Sequence, residues 1–184
     1  MYYGKINKAD IANGEGVRVS LFVSGCRNHC KGCFNEATWD FCYGKPFTNI
    51  EENIIIEALK PNYISGLTIL GGEPFEPENQ KALVDFIKRV RNTYPDKTIW
   101  MYSGYLMDKE MLNENGKVHT PYTLDILKQI DILVDGRFVL SKFNLALKFR
   151  GSENQRIILV KESLCQNKIV LSALNDYKNF KPEI

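Results

Sequence analysis

The stretch Cys26-Arg27-Asn28-His29-Cys30-Lys31-Gly32-Cys33 places three cysteines within eight residues, spaced C-x3-C-x2-C. A loop this tight can turn three thiolates toward one point, where they can hold iron or zinc. A closed structural zinc or iron–sulfur site takes four protein ligands, so three leave one position open for chemistry. On a four-iron cubane, Cys26, Cys30 and Cys33 would leave one iron without a protein ligand, and the amino and carboxylate groups of an amino acid could chelate it. A single zinc would need a fourth ligand from His29, Cys42 or water, and His29 is poorly placed inside the loop to join its neighbours' tetrahedron. Cys42 and Cys165 stand apart, and such cysteines commonly pack as small hydrophobes.

Other polar and glycine-rich groups sit at the ends of apparent strands. Val17 to Val23 alternates and then turns apolar, a strand running into Ser24-Gly25-Cys26. Asn13-Gly14-Glu15-Gly16 before it reads as a turn whose glycines would let backbone approach a ligand closely. Thr48-Asn49-Ile50-Glu51 has the form of a capping box and opens a helix with Ile50, Ile54, Ala58 and Leu59 as apolar positions, ended by Pro61. Gly66 to Leu70 is a short strand followed by Gly71-Gly72-Glu73-Pro74. A helix from Pro77 to Asn92 then carries Leu83, Phe86, Ile87 and Val90 on one face. Lys97 to Met101 is a strand ending in Tyr102-Ser103-Gly104-Tyr105. Helical stretches follow near Met107 to Asn113 and from Pro121 to Gln129. Ile130 to Val134 is a strand ending in Asp135-Gly136-Arg137, and Gln155 to Val160 is the last clear strand. Alternating strands and helices predict an α/β fold with a mostly parallel sheet, whose ligands bind beyond the carboxyl ends of the strands. The cysteine loop and the three later loops would then face one site.

At 184 residues the chain suits one domain with a real core. A net charge of +2 and the lack of a long basic run give no footprint for nucleic acid. The polar N-terminus is no signal peptide, and no apolar stretch is long enough for a membrane span. Five cysteines, three of them clustered, suit metal ligation in a reducing, cytoplasmic setting rather than a disulfide framework.

The cysteine spacing resembles the signature of the radical S-adenosylmethionine (SAM) enzymes. The resemblance implies one 4Fe-4S cluster on Cys26, Cys30 and Cys33, with SAM on the open iron. An electron from the cluster then cleaves SAM to methionine and a 5′-deoxyadenosyl radical. It implies a partial, incomplete radical-SAM-type β/α barrel with a mostly parallel sheet. Gly71, Gly72 and Glu73 would form a backbone strip bonding the amino group of SAM; alone, Gly-Gly-x-Pro is only a strand-to-helix turn. Family members often carry an aromatic residue just before the third cysteine. Here that position is Gly32, and Phe34 follows instead, so adenine contacts would fall to Gly32, Cys33 and Phe34. Ser103 and Asp135 stand where polar contacts to the SAM ribose or carboxylate are made, and Arg137 could bind a carboxylate.

The runs NGEGVRVSLFVSGC, CFNEATW, GGEP, WMYSGY, ILVDGRF and RGSENQR resemble, in order, the activases of glycyl radical enzymes, and among these the ones that serve anaerobic ribonucleoside-triphosphate reductase. Residues 1–160 would be the core domain and residues 161–184 a C-terminal extension of unknown role. The implied substrate is a glycine of the large reductase subunit, with a flavodoxin or ferredoxin as electron donor. Cluster and SAM would carry the chemistry, leaving no conventional acid or base to identify. Residues 39–47 and 138–151, irregular and bearing aromatic and basic side chains, are candidate docking segments. The alternatives are an activase for a pyruvate formate-lyase type enzyme, a small-substrate radical SAM enzyme such as a deazapurine synthase, and a zinc-binding interaction module.

Overall fold

The computed structural model describes residues 1–176. Its frame is a seven-stranded sheet in the order β3-β1-β2-β4-β5-β6-β7. The strands are β1 (Tyr2–Asp10), β2 (Val17–Val23), β3 (Lys45–Pro46), β4 (Ile64–Gly71), β5 (Thr98–Tyr102), β6 (Ile132–Asp135) and β7 (Arg156–Leu159). Helices α1 (Asn49–Leu59), α2 (Pro77–Thr93), α3 (Thr123–Gln129) and α4 (Val160–Gln166) complete a mixed α/β fold. Strands β2, β4, β5 and β6 are mutually parallel. The flanking strands β1, β3 and β7 pair antiparallel.

The expected alternation of strand and helix holds from β2 to β6. It fails at β7, and the cause is the connection. A parallel return needs a crossover, usually a helix. Residues 136–155 contain only a 3-10 turn, Leu140–Lys142, so the chain turns back antiparallel on β6. Strand β1 has no counterpart in the sequence reading. Its residues are half-buried or exposed except Asp10, so no clean apolar alternation marks it. Backbone pairing with β2 and β3 defines it instead.

The two sides of the sheet differ. Val19, Leu21, Leu67, Ile69, Ile99, Met101, Leu133 and Ile158 join one large core with the helices. Helix α2 adds Leu83, Phe86, Ile87 and Val90 to that core, the face its periodicity predicts. On the other side a smaller cluster of Trp100, Val134 and Ile157 leaves room for a cleft. Arg18 is fully buried there. Its guanidinium donates to Thr68 Oγ1 at 2.7 Å, to the Leu67 carbonyl at 2.8 Å and to the Thr98 carbonyl at 2.9 Å, and lies 5.3 Å from the Trp100 ring. Burial pulls its pKa down to about 10, which leaves it cationic at neutral pH. Gly14, with φ +131°, fits against this arginine and Trp100, and Gly16 against Ser65. The close approach expected of these glycines is therefore to the protein itself.

Helix α1 begins with the predicted capping box: Thr48 N donates to Glu51 Oε2 at 2.8 Å, and Ile50 N donates to Thr48 Oγ1 at 3.2 Å. Its buried face is Ile55, Ile56 and Leu59. Ile50 and Ile54, taken from the sequence as apolar-face positions, point outward at 68% and 39% exposure. A helix with isoleucines at 50, 54, 55 and 56 offers two apolar stripes, and packing on β2 and β4 selects one.

Beyond β7 and α4, the segment Ile169-Val170-Leu171, to which the sequence assigned no role, lines the free edge of β7. Leu159 N donates to Val170 O at 2.9 Å, and Ser172 N donates to Ile157 O at 2.9 Å. The rest of the anticipated extension, residues 177–184, lies outside the described residues. Among those described, no helix is long and apolar enough to cross a membrane.

Ile55→Ala should lose about 2–4 kcal/mol of unfolding free energy, and Ile50→Ala no more than about 0.5 kcal/mol. Urea titration of the anaerobically purified protein measures both. Equal losses would contradict the buried face described.

Candidate functional site

The carboxyl ends of the four parallel strands open onto one cleft of about 700 Å³. Strand β2 leads into the cysteine loop, β4 into Gly71-Gly72-Glu73, β5 into Ser103-Gly104 and β6 into Gly136. Cys26, Cys30 and Cys33 all line this cleft.

Close backbone contact sets the loop's position. Gly72 N donates to Val23 O and Glu73 N to Gly25 O, each at 2.8 Å, while Gly25 N donates to Thr38 O at 2.8 Å. A Cβ on Gly72 would lie 2.7 Å from Gly25 O and 2.9 Å from Thr38 O. The second glycine of GGEP is thus required by the cysteine loop itself. Asn79, buried at the start of α2, donates from Nδ2 to Ser24 O and to Glu73 O, both at 2.9 Å. Arg27 N donates to Glu76 Oε1 at 2.8 Å, its guanidinium pairs with Glu76 and Glu78, and it stacks over Phe41. His29 has φ +44° and stacks on Trp39 at 4.6 Å.

Glu73 ties the loops together. Its carboxylate accepts from Ser103 Oγ at 2.8 Å, Gly104 N at 2.7 Å, Phe75 N at 2.9 Å and Asn28 Nδ2 at 3.2 Å. Those donors belong to the β4, β5 and cysteine loops. Glu73 is 1% exposed, so it is no solvated turn residue. Burial raises its pKa to about 7, and the donors only partly offset that.

Burial also pushes the Cys26 thiol up to about 12, against the pull of backbone N–H groups at Asn28 and His29. The Cys30 thiol is raised by burial as well, opposed by the Phe138 N–H. Asn35 N lies 3.4 Å from Cys33 Sγ as a donor. Among the described residues, no trio of His, Cys, Asp or Glu side chains closes on a single ion.

The residues nominated from sequence divide into two groups. Cys33, Phe34, Gly71, Gly72, Glu73 and Ser103 stand in the cleft wall. Gly32 and Asp135 are not among the lining residues. Gly32 turns the chain with φ +75° beside Leu140. Asp135 is fully buried, and its carboxylate accepts from Arg156 at 2.8 and 2.6 Å and from Met107 N at 2.8 Å. Its carboxylate is thus paired inside the fold. Arg137 lies over the Tyr105 ring at 5.8 Å. Sequence reasoning passed over Asn28, Glu76 and Asn79. Glu76 and Asn79 are polar positions on the inner side of a helix start, and that misplacement was the available signal.

The 4Fe-4S single cluster domain family matches residues 12–158, a span that includes the three loop cysteines. The chain is 41% identical over 159 residues to an anaerobic ribonucleoside-triphosphate reductase-activating protein of Pasteurella multocida (strain Pm70), across 85% of this chain and 96% of that relative. This chain belongs to the anaerobic ribonucleoside-triphosphate reductase-activating protein family. Activating proteins of Escherichia coli (strain K12) and Enterobacteria phage T4 are 38% and 36% identical, over 84% and 85% of this chain and 96% and 93% of their own lengths.

As an activating-protein site, the cleft suits an iron–sulfur cluster. Three sulfurs face one space, each with a backbone N–H nearby, and N–H donors to ligating sulfur are a known influence on such clusters. Raised thiol pKa values mean that ligation must expel protons, so loading should improve with pH.

Gly72→Ala should lower cluster content as well as weaken any cofactor binding, because its methyl displaces Gly25 and Thr38. Iron and sulfide analysis after anaerobic reconstitution reads this; full content would show that the contact is dispensable. Glu73 supplies a pH test. A carboxyl raised from 4.5 to about 7 holds its proton longer in the folded state, so stability is greatest below the unfolded pKa. It falls as pH rises toward 7, by on the order of 3 kcal/mol. Thermal melts of the cluster-free protein from about pH 5 to about pH 8 should show this decline, and Glu73→Gln should flatten it. An unchanged slope in the variant would assign it to other groups.

Proposed function

We propose that this activating protein holds one 4Fe-4S cluster on Cys26, Cys30 and Cys33 and SAM at its open iron, and that it generates a glycyl radical on the large subunit of anaerobic ribonucleoside-triphosphate reductase. The observation that carries this reading is the convergence of the three cysteines and the Gly71-Gly72 turn on one cleft. The names of the relatives support the choice of partner. When bound, the cluster and SAM supply reductive cleavage of the sulfonium and abstraction of hydrogen from the glycine α-carbon.

The chain's own residues bind and orient. Gly71 and Gly72 stand in the cleft wall, and their missing side chains let this turn pack on the backbone of β2 and of the cysteine loop. Cys33 and Phe34 offer the wall for adenine, with Gly32 as the turn that shapes it. Ser103 gives its hydroxyl to Glu73, and Asp135 pairs with Arg156, so both hold loops in place. Glu73 fixes the relative position of three loops and is a positioning residue. No acid or base is required of His29 or His119.

In this reading the sheet is a partial radical-SAM-type β/α barrel. Residues 1–160 form its core and residues 161–184 an extension. The electron donor is a low-potential carrier of the flavodoxin or ferredoxin kind. Five free cysteines support a reducing, cytoplasmic location.

Incubation with SAM, a reductant and the reductase should give a glycyl radical signal by electron paramagnetic resonance. Cys26→Ala, Cys30→Ala and Cys33→Ala should each abolish SAM cleavage, whereas Cys42→Ala and Cys165→Ala should retain it. Loss of cleavage on changing Cys42 would mean that the ligand set is wrong. A radical appearing only on a different glycyl radical enzyme would overturn the choice of partner.

A further inference from the structure

Phe34, Phe143 and Leu145 face solvent at the mouth of the cleft. Elsewhere in its wall, Asn28, Trp39 and Tyr102 each hold a buried polar atom that no described group meets: Asn28 Oδ1, Trp39 Nε1 and the Tyr102 hydroxyl. A buried polar atom without a partner costs free energy, so each marks a place where a ligand group would be stabilised. Asn28 stands apart from the other two. It lies inside the cysteine loop, between Cys26 and Cys30, and the fold fixes which end of its amide faces inward.

Glu73 does the fixing. Phe75 N and Gly104 N can only donate, and they reach its carboxylate at 2.9 and 2.7 Å. That carboxylate therefore meets Asn28 as an acceptor, and the amide must turn Nδ2 toward it, at 3.2 Å. Gly104 packs on the same amide: a Cβ there would collide with Nδ2 and lie 3.0 Å from Cγ. Exchanging the two ends would set Oδ1 against a carboxylate oxygen, so Oδ1 is left as an acceptor on a residue of the cleft wall. The neighbouring Gly71-Gly72-Glu73 strip is short of acceptors. Glu73 O already accepts from Asn79 Nδ2 at 2.9 Å and from Glu76 N at 3.2 Å, which uses both lone pairs. An amino group that ligates a metal keeps N–H bonds, and these need acceptors where water is excluded.

We propose that Asn28 Oδ1 accepts a hydrogen bond from the α-amino group of SAM, so that the cysteine loop itself reads the amino-acid end of the ligand. The proposal rests on the SAM reading given above. Asn28 is then a binding residue, and Glu73 acts through it by aiming the amide. A neutral side chain suits the position. An aspartate there would offer the same acceptor but set a second carboxylate against Glu73 and add negative charge beside three thiolates.

The test is equilibrium dialysis on cluster-loaded protein without reductant, so that SAM stays intact. Two ligands are compared: SAM, and the SAM analogue with hydrogen in place of the α-amino group. Asn28→Ala should raise the Kd for SAM by about tenfold and leave that for the analogue within about twofold of wild type. Asn28→Ser, too short to place an oxygen at the Oδ1 position, should repeat the pattern. All values refer to protein of matched iron and sulfide content. A side chain that only braced the loop would weaken both ligands alike on removal, and that result would overturn the proposal. An analogue that binds wild type as tightly as SAM would also overturn it, since the amino group would then make no contact. Loss of the cluster in both variants would assign Asn28 to building the loop and end its role toward SAM. Cluster-loaded wild type that binds no SAM at all would remove the underlying reading itself, and that outcome is distinct from the others.

Discussion

The Glu73 carboxylate is withdrawn from water yet accepts hydrogen bonds from the β5 loop, the cysteine loop and its own turn. Water cannot replace any of these donors, so each loop is held at a distance set by one side chain. The arrangement costs free energy, because burial of the charge is only partly offset by the donors. In return, loops that are far apart in sequence acquire a common reference point. Asn79 works beside it through neutral bonds to Ser24 O and Glu73 O, and Glu76 through the Arg27 backbone. The cysteine loop is thus fixed mostly by residues of the β4–α2 connection, with its own residues supplying the sulfurs.

Arg18 shows a parallel solution nearer the amino ends of the central strands. It too is a buried charge, a cation satisfied by strand carbonyls, a threonine hydroxyl and an indole face. Its five guanidinium N–H groups can reach β4 and β5 together, which a lysine could not do. A buried arginine and a buried glutamate therefore brace the sheet along its length. The wide space between them, on the side away from the helices, is what the cleft occupies.

Much of this was legible in the sequence because local chemistry and global fold agree there. The C-x3-C-x2-C spacing, the run of Val17 to Val23 and the capping box at Thr48 each have a local cause. The buried face of α2 follows from Leu83, Phe86, Ile87 and Val90 alone. What was not legible depends on tertiary contact. Strand β1 has a polar, half-buried pattern and exists by pairing. The buried stripe of α1 is chosen by the sheet, not by the helix. Asp135 stands at a strand end like a ligand residue, and only the position of Arg156 shows its charge to be engaged. Glu73 stands in the sequence only as the end of the Gly71-Gly72-Glu73 strip, and its tie to Ser103 and Gly104, about thirty positions later, shows only in the fold.

The exposed ring of Phe34 beside the third cysteine has one more consequence. Phe138 and Phe143 pack against that ring and Leu145 faces solvent, so this side of the cleft wall ends in apolar side chains. An enzyme acting on a small molecule commonly closes a lid of its own over a reactive intermediate. Here the seal would be borrowed: the docked reductase would be both the reactant and the shield against water and dioxygen. Radical chemistry would then be safe only while the complex lasts, so the dwell time of the partner, rather than a motion within this chain, would limit how often an activation event is wasted.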